Sequence, residues 1–184
     1  MIFYLDSGVF IDYLIGRSHA DTYLRTANRR GRNTGQLSSD AALCFSNLRN
    51  QRHQGITSTL TFFEVENTLY ESMSNSSHGI SHANNFLIPS ARAIMVQMLM
   101  TIKQFDIMLI DLTEDILTNH VANLNLQLNA IRVGDSLHIA TAIENNVDAI
   151  ISTDQGILDL HNKITNKNGG SINCWDTDDA SQQI

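Results

Sequence analysis

Met1-Ile2-Phe3-Tyr4-Leu5-Asp6-Ser7-Gly8-Val9-Phe10-Ile11-Asp12-Tyr13-Leu14-Ile15-Gly16 opens the chain and decides how the rest is read. Ile2 to Leu5 is a short apolar run with two aromatic residues, the composition of a buried strand. From Ser7 to Gly16 the apolar residues Val9, Phe10, Tyr13 and Leu14 recur at helical spacing instead. A strand therefore feeds directly into a helix, and Asp6 stands at the junction.

The same grammar repeats outward from this start. Ile56 to Thr59, Ile107 to Ile110, Asp148 to Ser152 and Ile172 to Trp175 read as further strands. Between them, Ser39-Asp40 is expected to cap a helix carrying Ala41, Leu43, Cys44, Phe45 and Leu48. Thr61 is expected to cap one with Phe62, Val65 and Leu69 on its buried stripe. Ala91 to Phe105 reads as an apolar helix with Met95, Met98 and Met100, a helix opened by Thr113 runs to about Asn129, and another begins near Asp135 after Gly134. Residues 74–90, rich in Ser, Asn, His and Gly, read as a polar loop, and Asp176 to Ile184 as a polar tail. Strands alternating with helices predict an α/β fold, a three-layer α/β/α arrangement around a central, mostly parallel sheet.

At 184 residues the chain fits one domain, with 17–53 as a basic helical region. It is 42% hydrophobic and 17% charged with a single proline, a composition of ordered proteins. No uninterrupted apolar run approaches the ~20 residues of a membrane span, and no signal-type segment opens the chain. Cys44 and Cys174 have neither disulfide density nor metal-ligand spacing, which points to the cytoplasm. Net charge is −7, against a nucleic-acid partner on its face. Residues 17–53 nevertheless hold seven of the twelve basic side chains against two acids. Arg25, Arg29, Arg30, Arg32, Arg49 and Arg52 are the candidate RNA contacts in that region, the alternative being a solvated helical surface.

Four acids sit where an apolar run ends or a helix opens: Asp6, Glu64, Asp135 and Asp154. In open parallel sheets ligands collect beyond the carboxyl ends of the strands, where Asp6 and Asp154 fall. Carboxylates gathered there repel unless a cation neutralises them, and hard divalent ions prefer oxygen ligands, so the set points to Mg²⁺ or Mn²⁺ and phosphodiester hydrolysis. Taken alone, an Asp after a strand reads equally as a helix cap. Glu66 competes with Glu64, but the two face nearly opposite ways on a helix. His138 reads as a packed histidine with one satisfied hydrogen bond. His78 and His82 lack a third zinc ligand at useful spacing. Asp12 and Asp111 read as a helix-surface and a strand-end group.

Leu5-Asp6-Ser7-Gly8-Val9-Phe10-Ile11 resembles the first motif of the PIN domain family, and Ser58-Thr59-Leu60-Thr61-Phe62-Phe63-Glu64-Val65 its second. Asp135-Ser136-Leu137-His138-Ile139-Ala140-Thr141-Ala142 is similar to the third, the most specific, and Ile150-Ile151-Ser152-Thr153-Asp154 to the fourth. All four stand in family order across most of the chain. The resemblance implies a PIN fold and a metal-dependent endoribonuclease of the VapC toxin type. It implies Asp6, Glu64, Asp135 and Asp154 as catalytic and metal-site acids with Ser7 and Thr153 as polar supports. It also implies RNA as substrate, a homodimer and an antitoxin partner. A haloacid-dehalogenase-like phosphatase would need a second Asp at position 8, which is Gly8, and an integrin-type metal motif is not met by Gly8 and Phe10. The competing class is a PIN-like binding or scaffold module without catalysis.

Overall fold

The computed structural model describes residues 1–17, 28–76 and 84–184. Arg25, His78 and His82 lie outside the described residues. Five strands, β1 (Ile2–Leu5), β2 (Gln54–Ser58), β3 (Met108–Ile110), β4 (Ala149–Ile151) and β5 (Asn173–Trp175), form one sheet in the order β3-β2-β1-β4-β5, every pair parallel. The described helices are α1 (Ser7–Ile15), α2 (Thr34–Asn50), α3 (Thr59–Ser76), α4 (Asn84–Gln104), α5 (Glu114–Ala122), α6 (Leu124–Leu128), α7 (Val133–Glu144), α8 (Gln155–Leu158) and α9 (Thr177–Gln183).

Alternation along the central strand creates the layers, because successive side chains leave a strand on opposite faces. Phe3 and Leu5 enter one core with Phe10, Phe45, Val65, Met98 and Ala180, contributed by α1, α2, α3, α4 and α9. Tyr4 enters the other with Ile56, Ile150, Ile139, Ile157 and Ile172. Helices thus cover both faces, giving an α/β/α sandwich with an all-parallel sheet. In β4 the same alternation sends Ala149 and Ile151 to the first core and Ile150 to the second.

Several boundaries differ from the sequence expectation, for local reasons. The cap of α2 lies six residues before Ser39, because Asn33 accepts from the Gln36 N–H while the Gln36 side chain accepts from the Asn33 N–H, a reciprocal cap that outcompetes Ser39-Asp40. α3 begins at Thr59, so Thr61 lies inside it, buried beside Thr57 Oγ1 at 2.9 Å. Much of the expected 74–90 loop is helical: α3 runs to Ser76, and α4 starts at Asn84 and carries Pro89 inside. Pro89 is the sixth residue of α4, so its missing N–H costs one bond close to the helix start. The helix expected over 113–129 breaks at Asn123, whose side chain caps α6. The polar tail forms α9, capped by Asp176. Among the described residues α4 is the one helix long and apolar enough by composition to cross a membrane, and its Ala91, Ile94, Met95, Met98 and Ile102 are buried in the first core.

Candidate metal centre

Parallel strands deliver their carboxyl ends to one edge, and the acids follow from that. Asp6 leaves β1 at this edge as the cap of α1, 4% exposed. Its Oδ1 accepts from the Ser7 N–H at 2.7 Å and the Ser7 hydroxyl at 3.3 Å, and its Oδ2 accepts from Ser152 Oγ at 2.6 Å. Ser152 follows β4 and also accepts from the Asp154 N–H at 3.0 Å. One buried hydroxyl therefore ties the first acid to the loop that carries the fourth. Asp154 is exposed and caps α8 through the Gly156 N–H at 2.7 Å. Thr153 presses against α1, where a Cβ built on Gly8 would lie 1.9 Å from its Oγ1. Glycine at position 8 is what lets the two loops meet.

Glu64 comes from the second turn of α3 and meets His138 of α7, Oε2 to Nε2, at 2.8 Å. The same Nε2 is 3.4 Å from Asp6 Oδ1. The other ring nitrogen lies 2.5 Å from the Tyr4 hydroxyl, which donates to Ser58 Oγ at 2.9 Å. His138 is 1% exposed, so the ring is held at both nitrogens inside the protein. Burial disfavours its charge, yet Asp6, Glu64 and Asp135 outweigh burial and push its pKa up. Burial likewise pushes Glu64 up, but the bond to His138 and its charge pull the carboxyl below its ordinary value, with help from Ser7. Gly134 lets α7 approach, since a Cβ there would stand 2.9 Å from Glu64 Oε1.

Asp135 lies in the first turn of α7, half-buried. Burial first, then the charges of Asp154, Asp6 and Glu64, together raise its carboxyl from 3.8 to about 6 against the opposing charge of His138. Asp154, Asp6 and Glu64 thus all bear electrostatically on Asp135 at the carboxyl edge of the sheet. Asp6, Glu64 and His138 each offer a ligand atom within 4.8 Å of the others, a spacing that suits one cation.

Sequence reasoning missed three members of this centre. His138 is more than a packed ring with one bond. It bridges Glu64, Asp6 and Tyr4, and the available signal was its place three residues after Asp135, one helical turn along. Ser152 and Tyr4 carried no signal beyond their strand positions. Glu66 turns away to Arg92, 3.6 Å off at the surface, which leaves Glu64 as the acid of α3 at the site.

Three arginines of the basic region are engaged within the protein. Arg29 binds Asp12 at 2.6 Å and Asp176 at 3.1 Å, and Arg32 binds Asp176 at 2.5 Å and Asp40 at 2.8 Å. Arg30 reaches Asp178 at 3.3 Å and Asp179 at 3.1 Å. Their donors serve internal acids, because α9 folds back and brings its carboxylates to the arginines. Asp12, expected on a helix surface, is 1% exposed within this network. Arg49 and Arg52 lie at the opposite edge of the sheet, just before β2. The Arg49 guanidinium donates to the Gln104 carbonyl at 3.0 Å.

No family model matches the sequence, and no curated protein matches it.

Proposed function

We propose that this chain is a ribonuclease of PIN type that hydrolyses RNA phosphodiester bonds with Mg²⁺ or Mn²⁺ held by Asp6, Glu64, Asp135 and Asp154. Geometry supports the reading most directly: Asp6, Glu64 and His138 bring ligand atoms within 4.8 Å of one another at the carboxyl edge of the sheet, and the charges of Asp154, Asp6 and Glu64 bear on Asp135 beside them. Carboxylates kept together against such repulsion make sense as ligands for a hard cation. The donor set fits, being oxygen-rich with one imidazole alongside.

Each residue has a separable task in this proposal. Ser7 and Ser152 fix both oxygens of Asp6. His138, tethered by Tyr4, orients Glu64 and offsets negative charge around it. Asp135 and the exposed Asp154 border the side open to solvent, where a phosphodiester has access. A bound Mg²⁺ or Mn²⁺ supplies charge neutralisation at the phosphoryl oxygens and a water more readily deprotonated than bulk. The toxin role in the cytoplasm, with a homodimer and an antitoxin, belongs to the same proposal. Support for a protein partner comes from Phe63, Ile88 and Val96, apolar side chains exposed on α3 and α4.

The test is cleavage of single-stranded and structured RNAs by the purified protein in Mn²⁺, Mg²⁺ and EDTA, with Asp135→Asn as control. Cleavage that needs metal and disappears in the variant is expected. Equal cleavage by both proteins would remove the acids from the chemistry, and no cleavage by either, both folded, would favour a binding module.

A further inference from the structure

The amino-terminal edge of the sheet carries two adjoining depressions of about 660 and 790 Å³ that share Arg49, Gln104 and Phe105. Arg17 stands at one end, its guanidinium 3.9 Å from the centre of the Tyr13 ring, and Arg52 and Lys103 stand at the other. Among the described residues Arg29, Arg30, Arg32, Arg92 and Lys167 are held by acids. Six other described basic side chains have no acid partner among the described residues, and four of them, Arg17, Arg49, Arg52 and Lys103, line this groove. Asp106 is the one acid in the lining. In a chain of net charge −7, the unneutralised positive charge is therefore concentrated on one face.

We propose that this groove is a phosphate-backbone anchor for RNA, remote from the carboxylates and gripping a part of the strand that is not cut. Only the choice of nucleic acid rests on the ribonuclease reading. The groove lies before β2 and β3, whereas Asp6 and Asp154 follow β1 and β4, so the five residues of β2 set the edges apart by roughly 15 Å. Helix carboxyl ends explain some of the cations, because α1, α2 and α4 all end here and their dipoles favour positive charge. The lining goes further than dipoles require. Three of the four cations are arginines, whose planar fork grips phosphate oxygens in pairs. Gln97, Gln104 and Asn50 add amide donors, and the half-buried rings of His53 and Phe105, packed inward on Phe3 and on Phe45 and Tyr13, leave part of each ring in the lining for contact with a base. An acidic protein surface would use the charges and leave the rings idle. The substrate class that follows is an RNA long or folded enough to touch both ends of the sheet.

Arg52 and Lys103 make no ion pair or side-chain hydrogen bond among the described residues, so Arg52→Gln/Lys103→Gln leaves the packing intact. Binding of a fluorescein-labelled RNA of about 30 nucleotides, followed by anisotropy across KCl concentrations, should show a salt slope shallower by about 1.5 for two lost phosphate contacts. Affinity at low salt should fall on the order of tenfold or more, and Arg49→Gln added to the pair should deepen both effects, with Arg92→Gln unchanged. All proteins carry Asp135→Asn, so the RNA stays whole and binding is read apart from cleavage. An unchanged slope and affinity in the double variant would overturn the anchor. So would failure of the parent to bind RNA while it binds polyglutamate, which would give the face to an acidic protein. Groove-dependent binding without cleavage by the wild type in Mn²⁺ would retain the anchor and dismiss the ribonuclease.

Discussion

Asp135 is held in a charge environment that the folded protein must tolerate whenever metal is absent. Its carboxyl is raised to about 6 from 3.8, so in the metal-free protein its ionisation costs stability as pH rises through that interval. Asp135→Asn should therefore raise the melting temperature in EDTA at pH 7, by the equivalent of about 1 kcal/mol once solvent screening of a half-buried group is allowed for. The gain should shrink below pH 4 and be accompanied by loss of RNA cleavage. A melting temperature equal to or below the wild type at pH 7 would refute the crowding. Gly8 makes the opposite kind of prediction. Gly8→Ala drives a methyl into Thr153 and should cost about 1–3 kcal/mol in urea unfolding, while displacing the Asp154 loop and lowering kcat. Wild-type stability and kcat would show that the loops part freely. At this scale Asp6 and Asp154 were legible as candidates because they follow strands, and Glu64 and Asp135 because they stand in the opening turns of helices. Ser152 and His138 were not, since a serine at a strand end and a histidine among apolar neighbours look the same whether or not a carboxylate faces them. Asp12 was misread because its partner Arg29 and the α9 capping residue Asp176 lie far away in sequence.

α9 shows how an element can be invisible in sequence yet firmly fixed. Seven residues with three polar side chains at the end and two acids in the first turn carry no apolar period to detect. What holds the helix is tertiary: Ala180 is buried in the first core, Asn47 donates to the Ser181 carbonyl at 3.0 Å, and Asp176 meets Arg29 and Arg32. Burial pushes the Asp176 carboxyl up, but Arg29 through its hydrogen bond and charge, then the Thr177 N–H and Arg32, bring it below its ordinary 3.8. Its contribution to stability is therefore complete above that value and is lost as pH falls through the depressed pKa. Asp176→Ala leaves Arg29 with Asp12 and Arg32 with Asp40 and Asp178, and should destabilise the protein by about 2–3 kcal/mol, with the steepest part of the acid limb of the stability curve removed. A loss under 1 kcal/mol in urea unfolding would mean that α9 is held by apolar contacts alone. The differences at α2 and α4 are local instead: a reciprocal cap between Asn33 and Gln36 starts α2, and α4 carries Pro89 within its second turn.

Across the whole molecule the parallel sheet sorts chemistry by polarity. Among the described residues Asp6 and Asp154 follow the strand ends, and four of the six cations without an acid partner gather before the strand starts. The α/β/α layering was legible because strand-to-helix alternation is periodic in the chain. The partition of charge was not, because the six described basic residues of 17–53 divide between an internal network and an open groove according to where α9 folds. At the centre of the account stands the claim that Asp6, Glu64, Asp135 and Asp154 form one metal site. Mn²⁺ binding to the metal-free protein, followed by calorimetry and by melting temperature, tests it most directly. Wild type should bind Mn²⁺ and gain about 2.7 kcal/mol of stability at a hundredfold excess over Kd, and Asp6→Asn and Asp135→Asn should each bind far more weakly. No heat and no stabilisation in the wild type, or equal binding by all three proteins, would contradict the site.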